Sequence, residues 1–120
     1  MIAVVTGRVV IAASVRPFPA GVLHVRLDDV SHADAAAPVV AETVIPGVAH
    51  DPAGSGDGKT VVEFRLTASS DIDPAHDYSV RVWLDRDGDG RPGSDDVWSD
   101  QAYRVLTRGF GTEVTVALGS

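Results

Sequence analysis

The stretch YSVRVWL, residues 78–84, decides the fold class, because apolar side chains occupy every second position. Successive side chains of a β-strand point to opposite faces, so Tyr78, Val80, Val82 and Leu84 lie together on one face. Alternation of this kind predicts a strand with one face against a core. The other face then carries Ser79, Arg81, Trp83 and Asp85.

The same alternation recurs along the chain, and proline- or glycine-containing stretches separate the segments. The predicted strands are a first strand carrying Val5, Val9 and Ile11, then 23–27, 39–45, 62–66, 78–84, roughly 97–106, and 114–118. No segment has a convincing helical pattern. Seven short strands predict a single domain over residues 1–120, an all-β fold of the seven-stranded antiparallel β-sandwich type.

Composition excludes several classes of protein. The net charge of −7 argues against nucleic acid and anionic membrane surfaces as partners. No apolar run approaches the roughly 20 residues of a membrane-spanning helix, so we expect no membrane insertion. The chain has no cysteine, which excludes disulfides and thiolate catalysis. We expect a monomer with an unknown protein partner.

The N-terminal stretch MIAVVTGRVVIAAS lacks the basic start, uninterrupted apolar core and cleavage site of a signal peptide. The compartment therefore stays open. We expect a cytoplasmic protein if Met1 is the native start, and a periplasmic or otherwise extracytoplasmic one if an export segment has been removed.

The loop DRDGDGRPGSDD, residues 85–96, carries five aspartates and two arginines. Calcium takes six to eight oxygen ligands, and an EF-hand loop supplies them from positions 1, 3, 5, 7 and 12, with glycine at position 6. Counting from Asp85 places Asp87, Asp89, the carbonyl of Arg91, and Asp96 at these positions. The spacing predicts a Ca²⁺ site.

Two alternatives stay open for this loop. Asp95 could replace or assist Asp96 as the closing ligand. The loop could also be an ordinary hairpin turn, because aspartate and glycine are favoured in turns. An ordinary turn does not require five carboxylates whose mutual repulsion reduces stability.

Two tryptophans flank the acidic loop, Trp83 before it and Trp98 after it. Their spacing suits near-opposition across a hairpin, where they would form a cross-strand pair. The alternative is that they line an exposed recognition surface. Arg81 and Arg104 are candidates to cover the rings by cation–π contact.

Catalytic residues are not evident. The four histidines, His24, His32, His50 and His76, have no zinc-ligand spacing, and we expect solvent-exposed structural roles for them. Ser31, His32 and Asp34 name the residue types of a hydrolase triad, but they are too close in the chain to converge in its geometry. We therefore expect that the protein is not an enzyme.

Three separated segments resemble the YbaY/YscW-like family of type III secretion lipoprotein chaperones, or pilotins. They are FPAGVLHVRLDDVSHADAAAPVVAETVI at 18–45, DIDPAHDYSVRVWL at 71–84 and SDQAYRVLTRG at 99–109. Within them, the residues that carry the resemblance are Pro19, Gly21, Val25, Leu27, Asp29, Val30, Ser31, Ala33, Asp34, Pro38, Val39, Ala41, Glu42, Ile72, Asp73, Pro74, Tyr78, Arg81, Asp100, Tyr103, Val105, Leu106 and Thr107. The family's hairpin before the third segment is usually short, whereas this chain carries the acidic loop there.

The resemblance implies a small β-sandwich without enzymatic activity and with a binding or chaperone-like role. Together with the loop, it predicts a non-catalytic binding module with a structural calcium ion. The alternatives are an interaction domain of a larger cell-envelope or surface protein without metal, and a small hydrolase that uses a pocket at one end of the sandwich.

Overall fold

The computed structural model describes residues 3–31, 39–54, 56–68, 72–86, 97–99, 103–107 and 109–119. These residues contain eight β-strands and no helix. In chain order the strands are β1 (Val4–Ile11), β2 (Phe18–Asp29), β3 (Val39–His50), β4 (Thr60–Thr67), β5 (Tyr78–Asp85), β6 (Val97–Trp98), β7 (Tyr103–Val105) and β8 (Glu113–Leu118). The described residues therefore include no helix that could cross a membrane.

The strands form two packed sheets, which confirms the all-β sandwich. The three-stranded sheet has the order β4-β1-β8, and the five-stranded sheet has the order β3-β2-β5-β6, with β7 also paired to β5. The described residues thus hold eight strands rather than seven, because the segment predicted as one strand over 97–106 pairs with β5 as two short pieces.

The expectation of a purely antiparallel sandwich is wrong at one strand pair. β1 and β8 run parallel, with Thr6 opposite Glu113 and Ile11 opposite Leu118. Since β7 belongs to the other sheet, the chain crosses between the sheets before β8. Such a crossover allows β8 to enter beside β1 in the same direction, which a tight hairpin cannot do.

The core lies between the two sheets and consists of the inward-facing residues of the alternating segments. Leu23, Val25 and Leu27 of β2 lie opposite Leu84, Val82 and Val80 of β5, and all six side chains are buried. The three-stranded sheet contributes Val5, Val9, Ile11, Phe64, Leu66, Val116 and Leu118. Burial of apolar area of this kind is the main favourable term in folding.

His50 corrects the expectation that the histidines are solvent-exposed. It ends β3 with only 1% of its surface accessible, and its Nδ1 lies 2.7 Å from Thr60 Oγ1. Its Nε2 lies 3.0 Å from the carbonyl oxygen of Val15. The buried imidazole is therefore satisfied at both nitrogens and joins three parts of the chain.

Candidate functional site

A row of three stacked rings crosses the outer face of the five-stranded sheet. The register places His24 of β2 opposite Trp83 of β5, and Trp83 opposite Trp98 of β6. The His24 and Trp83 ring centroids are 4.2 Å apart with planes inclined by 16°, and those of Trp83 and Trp98 are 5.3 Å apart with planes inclined by 11°. The two tryptophans thus pair across the strands, as their spacing around the loop predicts. We call these three residues the ring stack.

The two tryptophans differ in accessibility. Trp83 lies between the other two rings and is 9% exposed, whereas Trp98 lies at the end of the ring stack and is 42% exposed. Only Trp98 therefore offers a substantial ring surface to solvent. Trp83 stacks against the Trp98 ring and so holds the exposed indole in a fixed orientation.

Two arginines lie beside the ring stack, and together they line a narrow cleft with its rings. Arg26 lies opposite Arg81 on the paired strands. The Arg26 Nε is 2.8 Å from Glu42 Oε2, which partly neutralises it. Arg81 is exposed. Arg81 therefore places a positive charge beside the ring stack.

Arg104 makes a cation–π contact, but the expectation that its partner is a tryptophan is wrong. The Arg104 guanidinium carbon lies 5.4 Å from the centroid of the Phe110 ring. Phe110 follows β7 closely in the chain, whereas Trp98 pairs with the far end of β5. The register of β7 therefore keeps Arg104 away from the tryptophans.

A buried carboxyl group lies on the same outer face as the ring stack. Asp28 is opposite Ser79 and is 4% exposed. Burial raises the pKa of the Asp28 carboxyl above its ordinary value, although the guanidiniums of Arg81 and Arg26 act in the opposite direction. Within the described part of the chain, Asp28 Oδ1 and His24 Nε2 are buried without a hydrogen-bond partner.

A hydrogen-bonded cluster around Asp29 lies beside the start of β5, at the end of that strand away from Trp83. Both the backbone N–H and the hydroxyl of Ser31 donate to Asp29 Oδ1, at 3.1 and 2.6 Å. His76 Nδ1 lies 2.7 Å from Asp29 Oδ2, and the Asp77 N–H donates to Ser31 Oγ at 2.9 Å. Asp29 and Ser31 therefore each accept a hydrogen bond from a backbone N–H close to the end of β2.

The charges in this cluster reinforce each other. Hydrogen bonding to Asp29 raises the pKa of His76 above its ordinary value, and the charges of Asp29, Asp73 and Asp77 act in the same direction. Burial would raise the pKa of Asp29, but the hydrogen bonds from Ser31 and His76 outweigh it and hold that pKa below its ordinary value. The pair is therefore an ion pair over an intermediate pH range.

The same end of the sandwich is tied to the turn after β7. Arg104 Nη2 donates to Asp77 Oδ1, and Thr107 Oγ1 donates to the His76 carbonyl at 2.6 Å. Leu106, between these two residues, has a φ of 73°, which is unusual for a bulky side chain. Its N–H donates to the Gly111 carbonyl at 2.9 Å, so this hydrogen bond helps to hold the strained conformation.

The arrangement around Asp29 does not form a nucleophile relay. In a Ser-His-Asp triad the histidine lies between serine and aspartate and removes the serine proton. Here the carboxylate of Asp29 lies between Ser31 and His76, and the serine donates to it. His32 and Asp34, the other members of the discounted triad, lie outside the described residues.

The predicted calcium ligands are only partly within the described residues. Asp85 ends β5 and is fully buried. Asp87, Asp89, Arg91 and Asp96 lie outside the described residues, as does Asp95. Among the residues that are described, no group of three or more histidine, aspartate or glutamate side chains could hold a metal ion.

Sequence reasoning identified Trp83 and Trp98 but missed His24 as part of the ring stack. His24 stands between the apolar residues Leu23 and Val25, so the alternation predicts that it lies on the outer face of its strand, but the alternation indicates no partner strand. The partner depends on β2 pairing with β5 rather than with a strand next to it in the chain. The only sequence signal for the contact between His24 and Trp83 is that two alternating segments each carry an aromatic or histidine side chain on the polar face.

The chain belongs to the family of type III secretion system lipoprotein chaperones (YscW), whose model matches residues 2–118. This match confirms the family resemblance of the three segments. A comparison with curated protein sequences finds no match.

A solved structure supports the same assignment. The chain is 29% identical to an alternative pilotin from the type II secretion system of Vibrio cholerae, with a TM-score of 0.72. The match covers 98% of this chain and 96% of that one. The similarity therefore extends over the whole sandwich.

Proposed function

We propose that the protein is a non-catalytic, chaperone-like module that binds a protein component of a bacterial secretion system. Membership of the secretion lipoprotein chaperone family and similarity to a pilotin support this role. We further propose that it acts outside the cytoplasm, where pilotin-like proteins would meet such a component. The expected monomer is part of this proposal.

We propose that Trp98 is the centre of the partner-binding surface. The observation that carries this is its geometry: the indole is 42% exposed and stacks on the buried Trp83. Tryptophan and arginine are enriched among the residues that dominate binding energy at interfaces, and a rigid aromatic loses little entropy on binding. Arg81 beside it would contact acidic or carbonyl groups of the partner.

The test is a co-purification from cells that contain the secretion system, with secretion-system proteins quantified by mass spectrometry. Trp98→Ala should reduce the recovered component by about tenfold or more, as expected for a central aromatic anchor. Phe110→Ala is a matched control, because Phe110 is similarly exposed, at 46%, but lies at the other end of the sandwich. Equal recovery with wild-type protein and Trp98→Ala would refute this surface.

We propose that the protein has no hydrolase activity. The placement of Asp29 between Ser31 and His76 supports this, because the serine hydroxyl donates to a carboxylate whose pKa is held below its ordinary value, and not to an imidazole that could act as general base. Turnover of a generic ester that is lost on Ser31→Ala would contradict it.

We propose that the loop at 85–96 binds a structural calcium ion through Asp85, Asp87, Asp89, the Arg91 carbonyl and Asp96. The EF-hand-like spacing and the five carboxylates support this. The ion would order the hairpin between Trp83 and Trp98, so it would change their fluorescence. Without metal, the protein would be an interaction domain with a plain acidic turn.

Titration of calcium into chelator-treated protein tests the calcium site. Tryptophan fluorescence and melting temperature should both change, and the double variant Asp87→Asn/Asp89→Asn should show neither change. A response that is absent at millimolar calcium in the wild-type protein would exclude the site.

A further inference from the structure

Among the described residues, no strand pairs with the edge of β4 that faces away from β1. In the β1–β4 pair, Val4 lies opposite Thr67 and the Ala68 N–H donates to the Ala3 carbonyl at 2.9 Å. Antiparallel pairs alternate between those that exchange hydrogen bonds and those that do not. Even-numbered residues of β4 therefore bond to β1, and the backbone groups of the odd-numbered ones point away from the sheet.

The hydrogen bonding on the other side of β1, toward β8, agrees with this alternation. The Thr6 N–H donates to the Thr112 carbonyl, so the even-numbered residues of β1 face β8 and the odd-numbered ones face β4. The outward-pointing residues of β4 are Val61, Glu63, Arg65 and Thr67, all of which also have exposed side chains. No strand of the described residues pairs with them.

The edge of β3 is protected, in contrast to that of β4. Pro46 lies within β3 and has no N–H to offer, and Gly47 has a φ of 70°. The β2–β3 register also shifts at three places. Prolines and bulges are devices by which natural sheets prevent the addition of strands.

The remaining edges are also protected or short. On β8, the Ala117 N–H donates to the Tyr103 hydroxyl at 3.1 Å. β6 and β7 contain only 2 and 3 residues. β4, by contrast, has 8 residues without proline or glycine. Among the described edge strands, β4 is therefore the long one that has neither a proline nor a register shift.

We propose that β4 binds an extended segment of a partner polypeptide as an added antiparallel strand, and that this segment carries an acid, an apolar residue and a base in that order. The order follows from charge complementarity. Antiparallel addition places the acid opposite Arg65 and the base opposite Glu63, while the apolar residue between them lies beside Phe64 on the core side.

The two charges are available for this contact. Glu63 and Arg65 make no ion pair with any described residue, although Arg8 lies opposite Glu63 on β1. Backbone hydrogen bonds would supply affinity without regard to sequence, and the charged pairs would select the segment. This binding mode goes beyond the proposed function, because it uses an edge of the three-stranded sheet, whereas Trp98 belongs to the five-stranded sheet.

The test uses two synthetic peptides of equal composition, each with a fluorescent label. The acid-first peptide is Thr-Val-Asp-Val-Lys-Val-Thr, which matches residues 61–67 in antiparallel orientation. The base-first peptide, Thr-Val-Lys-Val-Asp-Val-Thr, places like charges opposite Arg65 and Glu63. Fluorescence anisotropy should show about three- to tenfold tighter binding of the acid-first peptide, as expected for two opposed charge pairs.

A charge-swapped protein gives an opposite prediction. Its circular dichroism spectrum and melting temperature are measured first, because an arginine at position 63 would lie opposite Arg8. The double variant Glu63→Arg/Arg65→Glu keeps the composition and net charge, and both side chains are exposed. It should reverse the preference and bind the base-first peptide more tightly. If neither protein binds either peptide at millimolar concentration, or if the swap leaves the preference unchanged, the proposal fails.

Backbone amides report where the peptide binds. In NMR hydrogen exchange, the acid-first peptide should protect the N–H groups of Val61, Glu63, Arg65 and Thr67, and leave those of the even-numbered residues as slow as before. The variant Glu63→Pro removes only an outward N–H, which edge strands tolerate, and should weaken binding. Protection that does not alternate would overturn the added strand.

Two controls distinguish the β4 edge from the Trp98 surface and from self-association. Trp98→Ala should bind the acid-first peptide as the wild-type protein does, so loss of the Trp98 surface and loss of the β4 edge are distinguishable. Sedimentation of the wild-type protein without peptide should show a monomer. Glu63-Phe64-Arg65 of β4 has the same order of acid, apolar residue and base, so a second copy of the chain would also fit this edge. A dimer at the concentrations of the peptide test would show that a second copy occupies the edge, and would overturn the proposal.

Discussion

The two sheets of this sandwich pack against the same core but have different outer faces. The five-stranded sheet carries the stacked rings of His24, Trp83 and Trp98. The three-stranded sheet instead has an open cleft of about 550 Å³, lined mainly by polar and charged residues that include Arg8, Glu63 and Glu113. Stacking between side chains helps to stabilise the five-stranded sheet, and close packing of the backbone helps to stabilise the three-stranded sheet.

The close packing of the three-stranded sheet centres on Gly7 of β1. Gly7 lies opposite both Phe64 of β4 and Val114 of β8. A Cβ atom at this position would lie 2.1 Å from the Val114 carbonyl oxygen and 2.8 Å from the Phe64 ring. The three-stranded sheet therefore depends on the absence of a side chain at Gly7, whereas the five-stranded sheet depends on the large rings of the ring stack.

The largest effect should come from Gly7→Ala. The new methyl group would collide with backbone that cannot move without separating β1 from β8, and we expect a loss of about 4 kcal/mol in the free energy of unfolding. Denaturant unfolding followed by circular dichroism measures this loss.

Gly111→Ala is the control for Gly7→Ala. Nothing lies within 4 Å of a Cβ atom at Gly111, so the substitution should be neutral or slightly stabilising, since alanine restricts the unfolded chain. If both variants had the same stability, the close packing at Gly7 would not be what holds the three-stranded sheet.

Sequence reasoning was successful where the information is local. Alternation identified the inward residues of β2 and β5, and the spacing around one loop paired Trp83 with Trp98. It failed where distant segments meet. The parallel β1–β8 pair and the burial of His50 depend on residues far apart in the chain, since His50 contacts the Val15 carbonyl 35 positions away.

The ring stack of the five-stranded sheet should give the next largest effect. Trp83→Ala removes a ring that is 9% exposed and contacts both neighbours, and we expect a loss of about 3 kcal/mol, near the lower end for buried aromatic residues. Thermal unfolding by calorimetry measures it. A loss below about 1 kcal/mol would show that His24 and Trp98 close over the gap and that the central ring is not needed.

Trp98→Ala should destabilise the protein much less than Trp83→Ala. It removes one stacked pair at the end of the row, which is worth about 1 kcal/mol. The same unfolding experiment measures both variants. If the two losses were equal, Trp98 would contribute mainly to stability, and its role as an exposed binding residue would lose support.

The smallest effect should be the pH dependence that arises from the Asp29–His76 pair, at the end of the sandwich away from the ring stack. The pKa of His76 is raised from 6.5, so its contribution is complete below that pH and is lost as the pH rises through the higher folded value. The pKa of Asp29 is lowered from 3.8, so its contribution is present above that pH and is lost as the pH falls through the lower folded value. The pair therefore stabilises the fold most between about pH 4 and pH 6.5.

Melting temperatures of wild-type protein and His76→Gln at about pH 5 and about pH 8.5 test this pair. The wild-type protein should lose more stability than the variant on going to the higher pH, because glutamine has no charge to lose. NMR titration should also show that Asp29→Asn returns the pKa of His76 toward its ordinary value, since its principal hydrogen-bond acceptor is then neutral. An unchanged His76 pKa in Asp29→Asn would show that Asp73 and Asp77, rather than Asp29, control the charge at this end of the sandwich.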